Sequence, residues 1–135
     1  MEANKALYRD FIQRIFNEGR LDLLDHYLAP NYAIQEAPSG TPAGAEGVRE
    51  VVSMFRGAFP DFEITLDEVI AEGSVVAARS TVRGTHRDPI FGIAPTGRPI
   101  AVGSLTMVHI EDGRLVASWV KTDTAAMMRQ LTGES

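Results

Sequence analysis

Apolar residues recur at helical spacing from the start of the chain, at Leu7, Tyr8, Phe11, Ile12, Ile15 and Phe16. This spacing predicts an amphipathic helix from about Asn4 to Glu18. Gly19 follows as its stop, because glycine accepts the left-handed backbone that ends many helices. Leu21, Leu24, Tyr27 and Leu28 form a shorter stripe and predict a second helix over Leu21 to Leu28. Ala29-Pro30 closes it, since the residue before a proline is pushed out of the helical region. Residues Asn31 to Glu36 read as a short strand, and Pro38 to Gly44 as a loop by composition. Val48, Val51, Val52 and Phe55 mark a third helix, from about Ala45 to Phe59. Gly44 is its candidate N-cap, and Glu46 suits the positive end of the helix dipole.

The pattern then changes period. Phe62 to Ala71, Ser74 to His86, Arg98 to Glu111 and Arg114 to Thr122 all read as strands. They are separated by Gly73, by a Pro/Gly-rich loop over 87–97, and by Gly113. Thr124 to Leu131 is helical again, with Met127, Met128 and Leu131 on its buried side. Helices set apart from a long antiparallel meander mean an α+β fold in a single domain over residues 1–135. Long strands twist and curl, and a curled sheet covered by helices can enclose a cavity. In the second long strand Arg79, Thr81, Arg83 and Thr85 alternate with Ala78, Ser80, Val82, Gly84 and His86. Polar groups therefore fall on both faces. A cavity that is apolar with a few polar groups is the default ligand site.

The hairpin around Asp112-Gly113 carries the most chemistry: His109, Trp119, the only tryptophan, and Asp123. Its facing depends on the turn. A two-residue turn pairs Glu111 with Arg114 and His109 with Val116, placing His109 and Asp123 on opposite faces. A three-residue loop, or a bulge further along, places Leu105, Met107, His109, Ala117, Trp119 and Asp123 on one face.

Composition narrows the classes. The 135 residues are 44% hydrophobic and 23% charged, with a net charge of −5 and no basic run. Nucleic acid and anionic membrane are poor partners for such a chain. With no cysteine, disulfides and thiolate metal sites are excluded. The three histidines, His26, His86 and His109, lack short metal-ligand spacing, so no metal is expected. Met1-Glu-Ala-Asn-Lys has no signal-peptide core, and no run reaches membrane-spanning length. A cytoplasmic protein is the default expectation. No Gly-x-Ser-x-Gly elbow, Walker loop or dinucleotide fingerprint occurs.

An ordered set of short segments is recognisable along nearly the whole length. It runs through Asn4-Lys-Ala-Leu-Tyr8, Leu28-Ala-Pro-Asn-Tyr32, Gly44-Ala-Glu-Gly-Val48 and Ala58-Phe-Pro-Asp61. Gly84-Thr-His86, Phe91-Gly-Ile-Ala-Pro-Thr-Gly-Arg98, Asp112-Gly-Arg-Leu115, Trp119, Asp123 and Gln130-Leu131 follow. In these segments the chain resembles the SnoaL-like polyketide cyclase family of the nuclear-transport-factor-two-like superfamily. The resemblance implies a curved sheet and helices forming a cone-shaped barrel around a pocket, and a homodimer through the sheet. It implies ring closure by intramolecular aldol condensation of a small hydrophobic, aromatic or polycyclic compound, with no metal and no cofactor. An Asp near the end of the last strand would be the acid/base, assisted by a His on the preceding strand; Asp123 and His109 match these, with Trp119 between them. Gln35 departs from the His that many relatives carry in the first strand.

Each candidate also has a plainer reading. Asp123 directly precedes the last helix and is a natural N-cap. His109 alone reads as a satisfied sheet histidine. Trp119 and Met107 suit a pocket wall, or simple packing. Tyr8, Phe11, Phe55 and Phe91 could reach substrate, although helical apolar stripes first make core. His86 and Asp88 read as solvated loop residues. Two alternatives to a cyclase stay open. One is a binding module for an apolar ligand. The other is an epoxide-hydrolase-like enzyme, which needs a second carboxylate and an Arg beside Asp123, from Arg79 or Arg83.

Overall fold

The computed structural model describes residues 2–37 and 39–133. Helix α1 spans Glu2–Phe11 and runs on as a π-helical segment, Ile12–Asn17, in which Glu18 N–H bonds the Gln13 carbonyl at 3.0 Å. The expected first helix is thus present, with a wider last turn. Its exposed carbonyls find a partner in Arg56, whose guanidinium donates to the carbonyls of Phe16 and Asn17 at 3.2 and 2.6 Å. The expected second helix is shorter than its stripe suggested. A 3-10 turn at Leu21–Leu23 leads into α2, Leu24–Tyr27, and Leu28 already begins strand β1, Leu28–Gln35. Pro30 sits in that strand, at the sheet edge where its missing N–H is tolerated. Of the loop expected over Pro38 to Gly44, Pro38 lies outside the described residues.

Helix α3, Ala45–Ala58, precedes four strands: β2 Glu63–Glu72, β3 Val75–Thr85, β4 Pro99–Glu111 and β5 Arg114–Thr122. Helix α4, Thr124–Thr132, closes the chain. The sheet order is β1-β5-β4-β3-β2. Neighbours pair antiparallel except β1, which lies parallel to β5, so the sheet is mixed. It remains open between its two edges, β1 and β2; the α+β expectation holds, and the barrel is a curved sheet that does not close.

The helices cover one face. Val76, Ala78, Val108, Ile110 and Leu115 from the sheet pack with Tyr8, Phe11, Ile12, Ile15 and Tyr27 in a first apolar cluster. Val82, Ile100 and Val102 pack with Ala58, Phe59, Phe62, Met127 and Leu131 in a second. Gly84 lets the second cluster close on β3, because a Cβ there would meet the Cβ of Phe59 at 2.8 Å. Where β5 ends, α4 takes over the edge of β4. The Gln130 side chain accepts from Ala101 N–H at 2.8 Å and donates to the Ala101 carbonyl at 3.1 Å, standing in for a strand.

Candidate functional site

The turn that decides the hairpin is the two-residue one. Asp112 and Gly113 both have positive φ, 51° and 74°, and Glu111 pairs with Arg114. Ile110 pairs with Leu115, but His109 pairs with Ala117, so Val116 is left over as a bulge. The bulge restores the shared face. His109, Met107, Ala117 and Trp119 point the same way, and the rings of His109 and Trp119 lie 4.9 Å apart.

That face is the one the helices leave uncovered. Ile70, Leu105 and Met107 on it are 62%, 61% and 46% exposed. Gln35, paired with Trp119, is exposed there as well. Met107 and Trp119 therefore line a depression of about 560 Å3 on the open face, with Ile70, Ala77 and Leu105. Glu68, Arg79 and Lys121 also border it. They do not line the helix-covered interior that the hairpin was expected to wall.

Asp123 is not near His109. Its backbone N–H donates to the Gly103 carbonyl at 2.9 Å, at the far end of β4 from His109. Six residues of strand separate these positions, a distance of about 20 Å. A His109–Asp123 pair is thus excluded by the register, and Asp123 lies beyond the end of β5. Asp123 is exposed and caps α4: its Oδ1 accepts from Ala126 N–H at 3.0 Å. Arg79 and Arg83 also point to the open face, where they meet Asp67, Glu68 and Thr65. The arrangement a hydrolytic reading requires beside Asp123 is not assembled.

What the covered face does hold is a band of hydroxyls between the two apolar clusters. Ser80 pairs across the strands with Ser104, and Ser104 with Thr122, whose Oγ1 lies 3.0 Å from Ser104 Oγ. Thr106 is next along β4, and its hydroxyl hydrogen-bonds the Tyr8 phenol oxygen of α1. Ser118 accepts from the Tyr32 hydroxyl at 2.9 Å. Ser80, Ser104 and Ser118 are buried. Burial pushes the Tyr8 phenol up to about 12, the Thr106 bond offsetting part of the rise, and pushes Tyr32 up as well. Both stay protonated donors at neutral pH. Val120 pairs with Thr106 and so shares this face, yet it is 45% exposed. The band is therefore open to solvent at its β5 end.

The remaining aromatic candidates divide. Tyr8 and Phe11 are buried in the first cluster, on the same side as the band. Phe55 packs against the second cluster, with Phe59 and Phe62 at 6.4 and 5.6 Å, and Phe91 meets Phe55 edge-on at 6.1 Å. His86 is not a solvated loop residue: it is fully buried beside Phe59, ring centroids 5.7 Å apart. Its Nδ1 accepts from Thr96 N–H at 3.2 Å, which leaves the proton on Nε2, and that atom has no partner among the described residues. Asp88, by contrast, is exposed as expected. The band was missed in the sequence because serines and threonines in strands carry no spacing signal until the register is known. Its trace is the period-two placement of Ser104 and Thr106 among apolar residues of β4. Among the described residues no cluster of three or more His, Cys, Asp or Glu side chains is arranged for a metal, and no helix is long and apolar enough to cross a membrane.

Comparison with known proteins converges on one family. A family model described as SnoaL-like polyketide cyclase matches residues 6–131. Nogalonic acid methyl ester cyclase from Streptomyces nogalater is 29% identical over 119 residues, 86% of this chain and 88% of that protein. TsrD from Streptomyces laurentii superposes with a TM-score of 0.87 at 32% identity, covering 96% of this chain and 95% of that one. IdmH from Streptomyces antibioticus does so with 0.83 at 33% identity, covering 96% and 98%.

Proposed function

The chain belongs to the SnoaL-like polyketide cyclase family, and from that premise we propose that it closes a ring in, or isomerises, a hydrophobic carbonyl compound by proton transfer alone. An aldol closure needs a base to remove a proton from the carbon next to a carbonyl. The resulting enolate carbon bonds to a second carbonyl carbon, and the new alkoxide takes up a proton. Each step moves only protons and carbon–carbon electrons, so no cofactor is required. Donors aimed at the oxygen where charge develops supply the main stabilisation of such a reaction.

The observation that carries this reading is the hydroxyl band on the covered face, open at Val120 and flanked by apolar clusters on both sides. Thr106, Ser118 and Thr122, with the protonated Tyr8 and Tyr32, are donors for a carbonyl or enolate oxygen. Asp123 directly follows Thr122 at the turn that carries the chain into α4. It is the proton acceptor in this proposal, acting through the carboxylate oxygen not used in the cap, and His109 has no part in the step. The substrate class is a small aromatic or polycyclic carbonyl compound. Replacing Thr106 by Val keeps the shape of the side chain and removes its hydroxyl. With nogalonic acid methyl ester as the trial substrate, Thr106→Val is expected to lower turnover at least tenfold while still melting cooperatively, at a somewhat lower temperature because the buried Tyr8 phenol loses its partner. Wild-type turnover in that variant would remove the band from the mechanism.

The same proposal includes a homodimer through the uncovered face of the sheet. Exposed Ile70, Leu105 and Met107 form an apolar strip there, beside half-buried Trp119. A second reading, ligand binding without turnover, is favoured by one observation: the Asp123 carboxylate is engaged as a helix cap.

A further inference from the structure

The 87–97 loop contains a two-residue turn that its own sequence disfavours. Ile90 and Ile93 exchange both backbone hydrogen bonds, Ile90 N–H to the Ile93 carbonyl at 3.2 Å and Ile93 N–H to the Ile90 carbonyl at 2.9 Å. The two residues between them, Phe91 and Gly92, have φ of +52° and +74°. This is the mirror-image turn in which both central residues are left-handed, and its first position strongly prefers Asn, Asp or Gly. A bulky side chain there is strained, because its Cβ crowds the backbone. Burial does not explain the choice fully, since Phe91 remains 46% exposed.

The Phe91 ring packs against one aromatic neighbour. Phe55 meets it edge-on at 6.1 Å, the arrangement aromatic rings prefer, and Phe55 in turn rests on Phe59 and Phe62. The base of the loop is also held firmly. Arg87 and Asp88 N–H groups both donate to the Ala58 carbonyl, at 2.9 and 3.3 Å, and His86 is tied to Thr96 across the loop. A strained aromatic side chain thus stands half in solvent on a fixed mount, backed by an aromatic cluster.

We infer that Phe91 is a ligand-contacting residue: its free face stacks on a flat polycyclic carbonyl compound, with Phe55 supporting it from behind. This rests on the substrate class proposed above but not on Asp123. Strain at a bulky left-handed residue is retained where the side chain is needed for something the fold itself does not require. The occupant is aromatic and flat, because a half-exposed phenyl ring backed by a second aromatic ring favours aromatic packing over polar contact.

The test separates stability from binding. The probe is 1,8-dihydroxyanthraquinone, a flat tricyclic dicarbonyl, titrated calorimetrically into the full chain. Phe91→Asn is expected to weaken its binding at least tenfold while raising the melting temperature by about 2–6 °C, because Asn suits the turn. Phe91→Tyr, which keeps the π face, is expected to bind as the wild type does. Unchanged binding in Phe91→Asn overturns the inference. So does a lowered melting temperature, which would make Phe91 a packing residue, and so does failure of the wild type to bind the probe. Turnover plays no part in this readout, so a failure of the catalytic assignment leaves this result untouched.

Discussion

His109 and Trp119 lie with ring centroids 4.9 Å apart on the uncovered face of the sheet, brought together by the single unpaired residue Val116 in β5. The contact moves both residues away from the hydroxyl band and assigns them to the surface proposed for association. If that surface joins two copies, replacing Leu105 and Met107 by Lys places like charges at its centre. The wild type is expected to sediment as a dimer at micromolar concentration, and Leu105→Lys/Met107→Lys as a folded monomer. A wild-type monomer, or a variant that still pairs, contradicts the dimer.

Val116 is the extra residue of β5. A one-residue slip in a strand turns every following side chain over. Deleting Val116 causes no such slip: it lets Ala117 pair with His109 directly after the Leu115–Ile110 pair, so Ser118 stays opposite Val108 and Trp119 opposite Met107. The deletion is therefore expected to keep cooperative thermal melting, as is Val116→Ala, which keeps the bulge and is expected to cost under about 1 kcal/mol at this half-buried position. Loss of cooperative melting in the deletion variant would contradict this register.

Tyr8 links the band to alkaline stability. Its folded pKa of about 12 lies above the ordinary 10, chiefly through burial. A pKa raised on folding contributes stability that is complete below pH 10 and is lost as pH rises through 12. Tyr27 is also raised to about 12, by burial and then by Asp10, whose carboxylate accepts its hydroxyl at 2.5 Å, and it acts in the same window. Tyr8→Phe is expected to lose stability less steeply between pH 10 and 12 than the wild type, as read by denaturant melts at each pH. The double variant Tyr8→Phe/Tyr27→Phe is expected to be flatter still. Parallel curves for all three proteins contradict the assignment.

Asp61 acts at the other end of the scale. The backbone N–H and hydroxyl of Thr85, at 2.7 and 2.8 Å, hold its carboxyl below the ordinary carboxylate range. A depressed pKa contributes stability above the unfolded value and loses it as pH falls through the folded one. Asp61→Asn is expected to be less stable than the wild type at neutral pH, with the gap closing once the pH falls below the carboxylate range. A gap independent of pH would show that charge is not the cause.

The fold was readable in the sequence because its main signals are periodic. The 3.6-residue stripe of Leu7 to Phe16 and the long β-branched runs survive in α1 and β2 to β5. Leu28 continues the apolar stripe of α2 and is also the first residue of the edge strand, and its pairing with Leu115 decides for the strand. The site was less readable. The family resemblance linked His109 to Asp123, but membership of one hairpin does not imply proximity when the partners lie at opposite ends of its long strands. The hydroxyl band emerges only from cross-strand register, which no local pattern encodes. His86 looked like a loop residue because burial by Phe59 and by Thr96 depends on how the 87–97 loop folds back.

The central claim, that Asp123 is a proton acceptor as well as a cap, is tested most directly by Asp123→Asn measured beside Asp123→Ala. Asn is as good an N-cap as Asp, whereas Ala is not and costs about 1 kcal/mol. The measurement is turnover of nogalonic acid methyl ester together with thermal stability. The expected result is that Asp123→Asn melts as the wild type does yet has no turnover, while Asp123→Ala loses both turnover and stability. Wild-type turnover in Asp123→Asn would contradict the claim and leave Asp123 as the helix cap alone.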